Sequence, residues 1–248
     1  VAGTVLLAFD VTEQAAAERS RREFTANVSH ELKTPLQSIM GSAELLENGL
    51  VKQEDVPQFV GVIRTEAARL VTLVEDIIHL SQLDEGIAPV EEQVNLLELA
   101  RSAVSALRVR AKERHIDLSV SGENLMVDGV RSFLYEMFYN LIDNAIKYNL
   151  DGGRVEVAVS AGEIGATVSV KDTGIGIPPE YQARVFERFF RVDKSRSKAS
   201  GGTGLGLSIV KHIAQYHHAD LSLHSRIGEG TNISIVFPNI GAHLGSQS

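Results

Sequence analysis

The sequence contains no cysteine and no apolar run of the roughly 18 residues that a membrane-spanning helix needs. Without cysteine there is no disulfide framework, no thiolate zinc site and no thiol nucleophile. No signal-peptide pattern opens the chain. The chain also lacks an initiator Met and begins within an apolar pattern. We therefore expect a fragment of a longer protein, with any membrane anchor lying upstream.

Basic residues are fewer than acidic ones, with 24 Lys and Arg against 32 Asp and Glu, and the net charge is −8. Because contact with phosphate backbones favours a basic face, this balance argues against a nucleic-acid partner. An apolar fraction of 44% and a charged fraction of 23% are typical of a soluble globular protein. The length of 248 residues allows one large domain or two to three small ones.

Two long helical patterns dominate the first third of the chain. Apolar residues recur at steps of three and four over residues 11–48, and again from Pro57 to about Leu83. Residues 49–55 have the composition of a turn, so the two helices form an antiparallel hairpin. A hairpin covers neither apolar stripe fully, and we expect a second copy of the chain to complete a four-helix bundle.

Period-two alternation replaces the helical pattern after a linker marked by Gly86 and Pro89. Asn95 with Glu98 predicts a helix start, and further helical stretches follow. Strands are predicted at 115–122, 154–161, 166–172, 220–225 and 231–238, and helices at 96–114, 130–148 and 205–217. This order predicts an α/β sandwich, in which a mixed sheet carries helices on one face.

The stretch DTGIGIP, residues 172–178, ends a predicted strand with a carboxylate followed by two glycines. A buried Asp172 can accept a hydrogen bond from an exocyclic amine such as that of adenine. Gly174 and Gly176 would let the backbone approach a flat ring. A plain strand followed by a turn is the alternative.

The stretch SGGTGLGLSIV, residues 200–210, places glycines ahead of a helix whose first N–H groups suit phosphate oxygens. The preceding basic run is predicted to form a lid over the phosphates, and a merely solvated loop is the alternative. The basic residues of this run are Lys194, Arg196 and Lys198.

The stretch NLIDNAIKYN places Asn140, Asn144 and Lys147 on one helix face. Two amides and an ammonium could hold Mg²⁺ that bridges phosphates and could cancel phosphate charge. Glu136, one turn earlier, either adds a carboxylate or is simply exposed.

These stretches, with FERFFR and GEGT, resemble the N, G1, F, G2 and G3 boxes of the ATP-binding domain of sensor histidine kinases. FTANVSHELKTPL resembles their H box, and GTVLLAFDVTEQ is similar to the end of a PAS sensory domain. The resemblance covers nearly all of residues 12–237. It implies an α+β chain in which a helical hairpin, forming a dimeric four-helix bundle, precedes a Bergerat-type α/β sandwich. The implied parts are a truncated PAS-like end (1–10), the hairpin (11–86), a linker (87–93), the ATP-binding domain (94–240) and a tail (241–248).

The resemblance also implies a role for each matched residue, with ATP and Mg²⁺ as cofactors. Asp172 would bind the adenine amine, Asn140 the Mg²⁺, and Arg188 and Arg191 the γ-phosphate or a docking surface. Glu136 is a possible further metal ligand. The remaining implied nucleotide-binding residues are Asn144, Lys147, Tyr148, Gly174, Gly176, Gly202, Thr203, Gly204, Leu205 and Gly206.

His30 lies about 160° around the helix from Val28, almost opposite the apolar stripe, and is therefore predicted to be exposed. Its neutral imidazole has a lone pair that can attack phosphorus, and Glu31 can accept the proton of the other ring nitrogen. Thr34 could orient water for removing phosphate from a regulator, or merely bond a carbonyl one turn back. Pro35 cannot donate to the carbonyl of Glu31, so we expect a hinge there.

The predicted function is an ATP-dependent protein-histidine kinase that autophosphorylates His30 in a homodimer. It would transfer the phosphoryl group to an aspartate of a response-regulator receiver domain and also act as a phosphatase of that regulator. We expect the cytoplasmic portion of a membrane-anchored bacterial sensor. The alternatives are an ATPase of the chaperone or mismatch-repair type, and a non-catalytic scaffold or a relative that acts mainly as a phosphatase.

Overall fold

The computed structural model describes residues 12–85, 90–192 and 202–238. The predicted PAS-like end, the lid residues Lys194, Arg196 and Lys198, and the tail lie outside the described residues. The chain divides into two compact units between Leu73 and Val74. No helix in the described ranges is both long enough and apolar enough to cross a membrane.

The first unit is built on helix α1 (Thr12–Glu47) and most of helix α2 (Val56–Glu85). The predicted hairpin is thereby confirmed. Helix α1 ends where Gly49 adopts a left-handed φ of 65°. The N–H of Leu50 reaches the carbonyl of Leu45, which is a Schellman ending that only a glycine adopts without strain. Helix α1 continues without a break through Pro35, which is buried.

The second unit contains the end of α2 and a two-layer arrangement of helices on a sheet. Its helices are α3 (Leu96–Glu113), α4 (Arg131–Lys147), the short α5 (Pro179–Gln182) and α6 (Gly206–Tyr216). Its strands are β1 (Glu92–Asn95), β2 (Asp117–Gly122), β3 (Met126–Gly129), β4 (Arg154–Ala161), β5 (Gly165–Asp172), β6 (Asp220–Arg226) and β7 (Gly230–Pro238).

Five strands form a mixed sheet in the order β2-β4-β5-β7-β6, in which only β2 and β4 run parallel. Alternate residues of the central strands are buried, as in Val155, Val157 and Val159 of β4. The apolar faces of α3, α4 and α6 cover this side of the sheet. The other side carries polar residues, so the predicted α/β sandwich with helices on one face is confirmed.

Two short strands were not predicted. β1 and β3 pair antiparallel, with Val94 opposite Val127, and β1 begins inside the segment predicted as a linker. Four-residue strands are too short to show a period, which explains why the sequence pattern missed them. The predicted start of α3 is confirmed, because Asn95 Oδ1 accepts the N–H groups of Leu97 at 3.0 Å and Glu98 at 3.2 Å.

Candidate functional site

His30 is an accessible polar group of the H-box segment, since 79% of its side chain is exposed. The predicted exposure is confirmed. Its Nδ1 lies 3.9 Å from Glu31 Oε1, which is beyond hydrogen-bonding distance. Glu31 Oε2 lies 3.4 Å from Nη2 of Arg69 on α2. The carboxylate is therefore held across the hairpin rather than against the imidazole.

The hydroxyl groups beside His30 bond to their own helix. Thr34 Oγ1 donates to the carbonyl of His30 at 3.2 Å, and Ser29 Oγ donates to that of Thr25 at 3.0 Å. One of the two expectations for Thr34, a hydrogen bond to the backbone carbonyl one turn back, is thus present. Among the residues that the structure describes, none hydrogen-bonds the imidazole of His30, which projects from the helix.

The glycine-rich segment, defined as residues 202–206, packs directly against α4 in the second unit. A Cβ added to Gly206 would lie 2.7 Å from Asn140 Oδ1 and 3.5 Å from Asn144 Nδ2. A Cβ added to Gly202 would collide with Nζ of Lys147, whose side chain is buried. The structure therefore brings the predicted amides, ammonium and glycines together, with room for backbone only.

Asp172 ends β5 as a half-buried carboxylate whose orientation is fixed by backbone hydrogen bonds. Its Oδ1 accepts the N–H of Gly174 at 2.8 Å and that of Thr231 at 3.2 Å. Burial raises the pKa of Asp172, and these two backbone hydrogen bonds lower it in part. Among the described residues no side chain or backbone group bonds Oδ2. The second oxygen is therefore oriented and available to a donor group of a ligand.

Asn149 supports this carboxylate and was not singled out by the sequence analysis. Its side chain is buried, with Nδ2 donating to the carbonyl of Arg154 at 3.0 Å. Its Oδ1 accepts the N–H of Leu150 at 3.0 Å and the hydroxyl of Thr173 at 3.4 Å. The amide thus fixes the residue that follows Asp172. Its position at the end of NLIDNAIKYN was the one available signal.

The loop after Asp172 is braced by side chains that are distant in sequence. Ser225 Oγ accepts the N–H of Ile177 at 2.8 Å. Gln182 Nε2 donates to the carbonyls of Ile177 and Ser225, each at 2.9 Å. Gly176 has a φ of 71° and lies so close to the backbone of Arg226 that a Cβ would collide with it. No local pattern indicates these contacts.

The two arginines of FERFFR border the glycine-rich segment. Phe189, between them, donates its N–H to the carbonyl of Gly204 at 2.9 Å and has a φ of 63°. Arg188 Nη2 lies 2.9 Å from His212 Nε2 on α6. A Cβ added to Gly204 would lie 3.2 Å from Arg191 Nε. Leu205 is fully buried at the start of α6, so both arginines lie along an anchored loop.

Tyr148 follows α4 beside the same loop. The Lys147 ammonium lies 5.3 Å from the centre of its ring. Burial raises the pKa of the Tyr148 phenol, and the charge of Arg191 lowers it in part. A half-exposed ring flanked by two cations is a surface on which an anionic ligand with a planar part can lie.

Glu136 and Thr203 contact the last turns of α2 within the second unit. Glu136 Oε1 lies 2.7 Å from His79 Nδ1, and Thr203 Oγ1 donates to Asp76 Oδ2 at 2.7 Å. Burial raises the pKa of Asp76 to about 6, and the hydrogen bond from Thr203 lowers it in part. Burial also raises the pKa of Glu136, opposed by His79. One of the two expectations for Glu136 was that its carboxylate is simply exposed, and the structure does not bear this out.

The side-chain amide of Asn140 is held in one orientation. Its Nδ2 donates to the carbonyl of Glu136 at 3.1 Å, which turns Oδ1 toward the glycine-rich segment. Within the described ranges no cluster of three or more His, Cys, Asp or Glu could hold a metal ion. A cation at this place would depend on oxygens supplied by a ligand.

Comparison with known proteins matches both units. The family described as "His Kinase A (phospho-acceptor) domain" matches residues 20–86, and the family described as "Histidine kinase-, DNA gyrase B-, and HSP90-like ATPase" matches residues 129–240. The solved mycobacterial sensor histidine kinase MprB is 35% identical, with a TM-score of 0.52. The match covers 60% of this chain and 97% of that one. The chain belongs to the sensor histidine kinases.

Two further members of the family extend the match along the chain. The sensor protein kinase WalK of Staphylococcus saprophyticus is 39% identical over 242 residues, and the match covers 96% of the present chain. The chain spans only 40% of the length of that relative. The histidine kinase ThkA, solved in complex with the response regulator protein TrrA, is 26% identical with a TM-score of 0.69. That match covers 93% of this chain and 68% of the other.

Proposed function

We propose that the chain is an ATP-dependent protein-histidine kinase that phosphorylates His30 and passes the phosphoryl group to an aspartate of a response regulator. One observation carries the proposal. A single chain combines an imidazole that is 79% exposed, in a region matched to phosphoacceptor domains, with a nucleotide-type site assembled on α4, β5 and the glycine-rich segment.

The residues of the second unit fit ATP. Asp172 Oδ2 would accept from the adenine amine, because Oδ1 is already held by two backbone N–H groups. Gly202, Gly204 and Gly206 would pass the phosphates at the start of α6, where a helix N-terminus favours negative charge. Lys147 and Arg188 would compensate the phosphate charge, with Asn144, Tyr148 and Arg191 completing the wall of the site.

Asn140 fits a magnesium site whose other ligands are phosphate and water oxygens. Amide oxygens are hard ligands of the kind that Mg²⁺ accepts, and Mg²⁺ commonly keeps few protein ligands in nucleotide sites. When bound, the ion would neutralise charge on the phosphates. We leave Glu136 out of this site because its Oε1 already contacts His79.

The chemistry at His30 is a nucleophilic displacement. The imidazole lone pair forms a bond to the γ-phosphorus while the bond from that phosphorus to the bridging oxygen breaks, and ADP leaves with the electron pair. The proton of the other ring nitrogen then needs an acceptor. Glu31 can take this role if its carboxylate turns from Arg69 toward Nδ1 of His30. That turn would shorten the present distance of 3.9 Å between Glu31 Oε1 and this nitrogen.

In the second step the bond between nitrogen and phosphorus breaks and a carboxylate oxygen of the regulator forms a bond to the phosphorus. The open surroundings of His30 support access by a second protein, and ThkA was solved with a response regulator. The opposing activity is removal of phosphate from the regulator by water. Thr34 would orient that water once the Thr34 hydroxyl leaves the His30 carbonyl.

A homodimer is part of the proposal. Several apolar side chains of the hairpin are exposed in the single chain: Leu36, Met40, Val60 and Val71. Burying them against a second copy would give the four-helix bundle that the stripes predict. The localisation implied by the resemblance, the cytoplasmic portion of a membrane-anchored sensor, stays a prediction.

The test uses ATP labelled at the γ-phosphate. The wild-type chain should gain label that is lost in acid, as expected of a phosphoramidate, and His30→Gln should gain none while still binding nucleotide. His224→Gln, which changes an exposed histidine of β6, is the matched control and should label normally. Persistent labelling of His30→Gln would refute the assignment. Steady phosphate release without any phosphohistidine would indicate an ATPase instead.

A further inference from the structure

His212 of α6 contacts an acceptor through one ring nitrogen and a donor through the other. Its Nδ1 lies 2.7 Å from the backbone carbonyl oxygen of Ser208, which can only accept, so Nδ1 carries the hydrogen. Its Nε2 lies 2.9 Å from Nη2 of Arg188, and a guanidinium can only donate. In this geometry Nε2 is therefore the acceptor and Nδ1 the donor.

The helix that carries His212 is a rigid support. Ile209, Val210 and Ile213 are fully buried in the core of the second unit. The hydroxyl of Ser208, one turn before His212, donates to the carbonyl of Leu205 at 2.7 Å. Because α6 begins at Gly206, the position of the His212 ring is fixed relative to the glycine-rich segment.

Arg188 is joined to the same segment from the other side. Its neighbour Phe189 donates a backbone hydrogen bond to Gly204 and takes a left-handed conformation to do so. Such a conformation costs free energy in a residue with a large side chain, so the surrounding contacts must hold it. The backbone beside Arg188 and one end of its guanidinium are thus both tied to the glycine-rich segment and α6.

We propose that His212 is a positioning residue that orients the guanidinium of Arg188 for phosphoryl transfer. The inference rests on the proposed function, in which Arg188 contacts the transferred phosphoryl group. An arginine side chain loses rotamer entropy when it is fixed, and a fixed acceptor removes part of that cost before the substrate binds. The benefit appears in the rate of transfer rather than in nucleotide affinity.

The first experiment compares His212→Ala with Lys211→Ala, a change of an exposed neighbour on the same helix. His212→Ala should lower the rate of His30 phosphorylation about tenfold, which is about 1.4 kcal/mol, because the guanidinium loses the acceptor that orients it. In His212→Ala, nucleotide affinity and the melting temperature should stay near wild type. In Lys211→Ala, the phosphorylation rate, the nucleotide affinity and the melting temperature should all stay near wild type. A wild-type rate in His212→Ala would overturn the inference.

The second experiment separates positioning from a general structural effect. In an Arg188→Ala background, His212→Ala should cause no further loss of rate, because the group that it orients is gone. An equal loss in both backgrounds would overturn the inference. Nitrogen-15 spectra of the full chain should show His212 protonated at Nδ1 only, and protonation at Nε2 would contradict the tautomer. A wild-type chain that forms no phosphohistidine would overturn this inference together with the proposed function.

Discussion

The surroundings of His30 and of Asp172 differ in how far the fold fixes a reactive group. The imidazole of His30 is exposed, and its nearest carboxylate contacts Arg69 instead. Asp172 is half-buried, and two backbone N–H groups hold one of its oxygens. The neighbouring polar groups differ likewise, since Thr34 bonds only its own helix while Asn149 makes three hydrogen bonds.

This difference matches what each group would have to do. A nucleotide site gains affinity when its donors and acceptors are already in place. A phosphoacceptor must be reached first by a nucleotide and then by another protein, so a ring that is mostly exposed suits both encounters. Substitutions around Asp172 should therefore change stability and affinity, and substitutions around His30 should change the chemistry alone.

The largest effect is expected from Asn149→Ala. This change removes a buried amide, leaves the Leu150 N–H without its partner and leaves the Arg154 carbonyl with the Thr173 N–H alone, at a cost of about 2–4 kcal/mol. Urea unfolding measures the difference. Asn27→Ala, on the exposed face of α1, is the control and should stay within about 0.5 kcal/mol. Equal losses in the two variants would remove the contrast between the regions.

The next effect depends on pH and concerns Asp76. Its folded pKa of about 6 lies above the ordinary value of 3.8, so the protonated form is favoured by folding. Its contribution to stability is therefore full below pH 3.8 and is lost as the pH rises through 6. Asp76→Asn has no such loss and keeps an acceptor for Thr203. The variant should gain up to about 3 kcal/mol over wild type by pH 8 and little at pH 4.

Urea unfolding across that pH range tests this prediction, with Glu75→Gln, a change of an exposed neighbour, as the control. A difference between Asp76→Asn and wild type that does not vary with pH would contradict the burial of this carboxyl. It would also argue against the view that side chains at the end of α2 are held as firmly as those of the nucleotide region.

Asp172→Asn should weaken nucleotide binding about 10- to 100-fold, as expected when a charged acceptor is replaced by an amide. The amide oxygen can still accept from Gly174 and Thr231, but its NH₂ group would then face the adenine amine. Calorimetric titration with a non-hydrolysable ATP analogue measures the change, and Asp220→Asn on exposed β6 is the control. Unchanged affinity of Asp172→Asn would argue against the adenine role.

The smallest effect is expected from His30→Gln, whose free energy of unfolding should lie within about 0.5 kcal/mol of wild type. The ring is mostly exposed and has no hydrogen bond to any residue in the described ranges, so its loss removes little packing. Thermal unfolding followed by circular dichroism measures the shift. A destabilisation above about 1 kcal/mol would show that His30 is held by contacts that the exposed ring does not suggest.

Local patterns in the sequence predict the long elements well. The hairpin helices follow from apolar steps of three and four, and β4, β5 and β7 follow from alternation, because those periods decide which face is buried. The exposure of His30 follows from its angle to the same stripe. The start of α3 follows from Asn95, whose capping bonds are local.

Contacts between distant segments could not be predicted in this way. Ser225 and Gln182 brace the loop after Asp172, and His212 meets Arg188, although no pattern links them in the chain. Glu31 was expected to contact its neighbour His30, yet its carboxylate lies nearer to Arg69 on the other helix. Such pairings depend on how helices and strands meet, which local periodicity does not contain.

The most direct test of the central claim is to map the phosphoryl group after incubation with ATP and Mg²⁺. The chain has eight histidines, so the position of the label decides between them. Mass spectrometry under neutral conditions should find phosphate on His30 of the wild-type chain and markedly less of it in Asp172→Asn. Phosphate on any other histidine, an acid-stable phosphate on serine or threonine, or no phosphate at all would contradict the account.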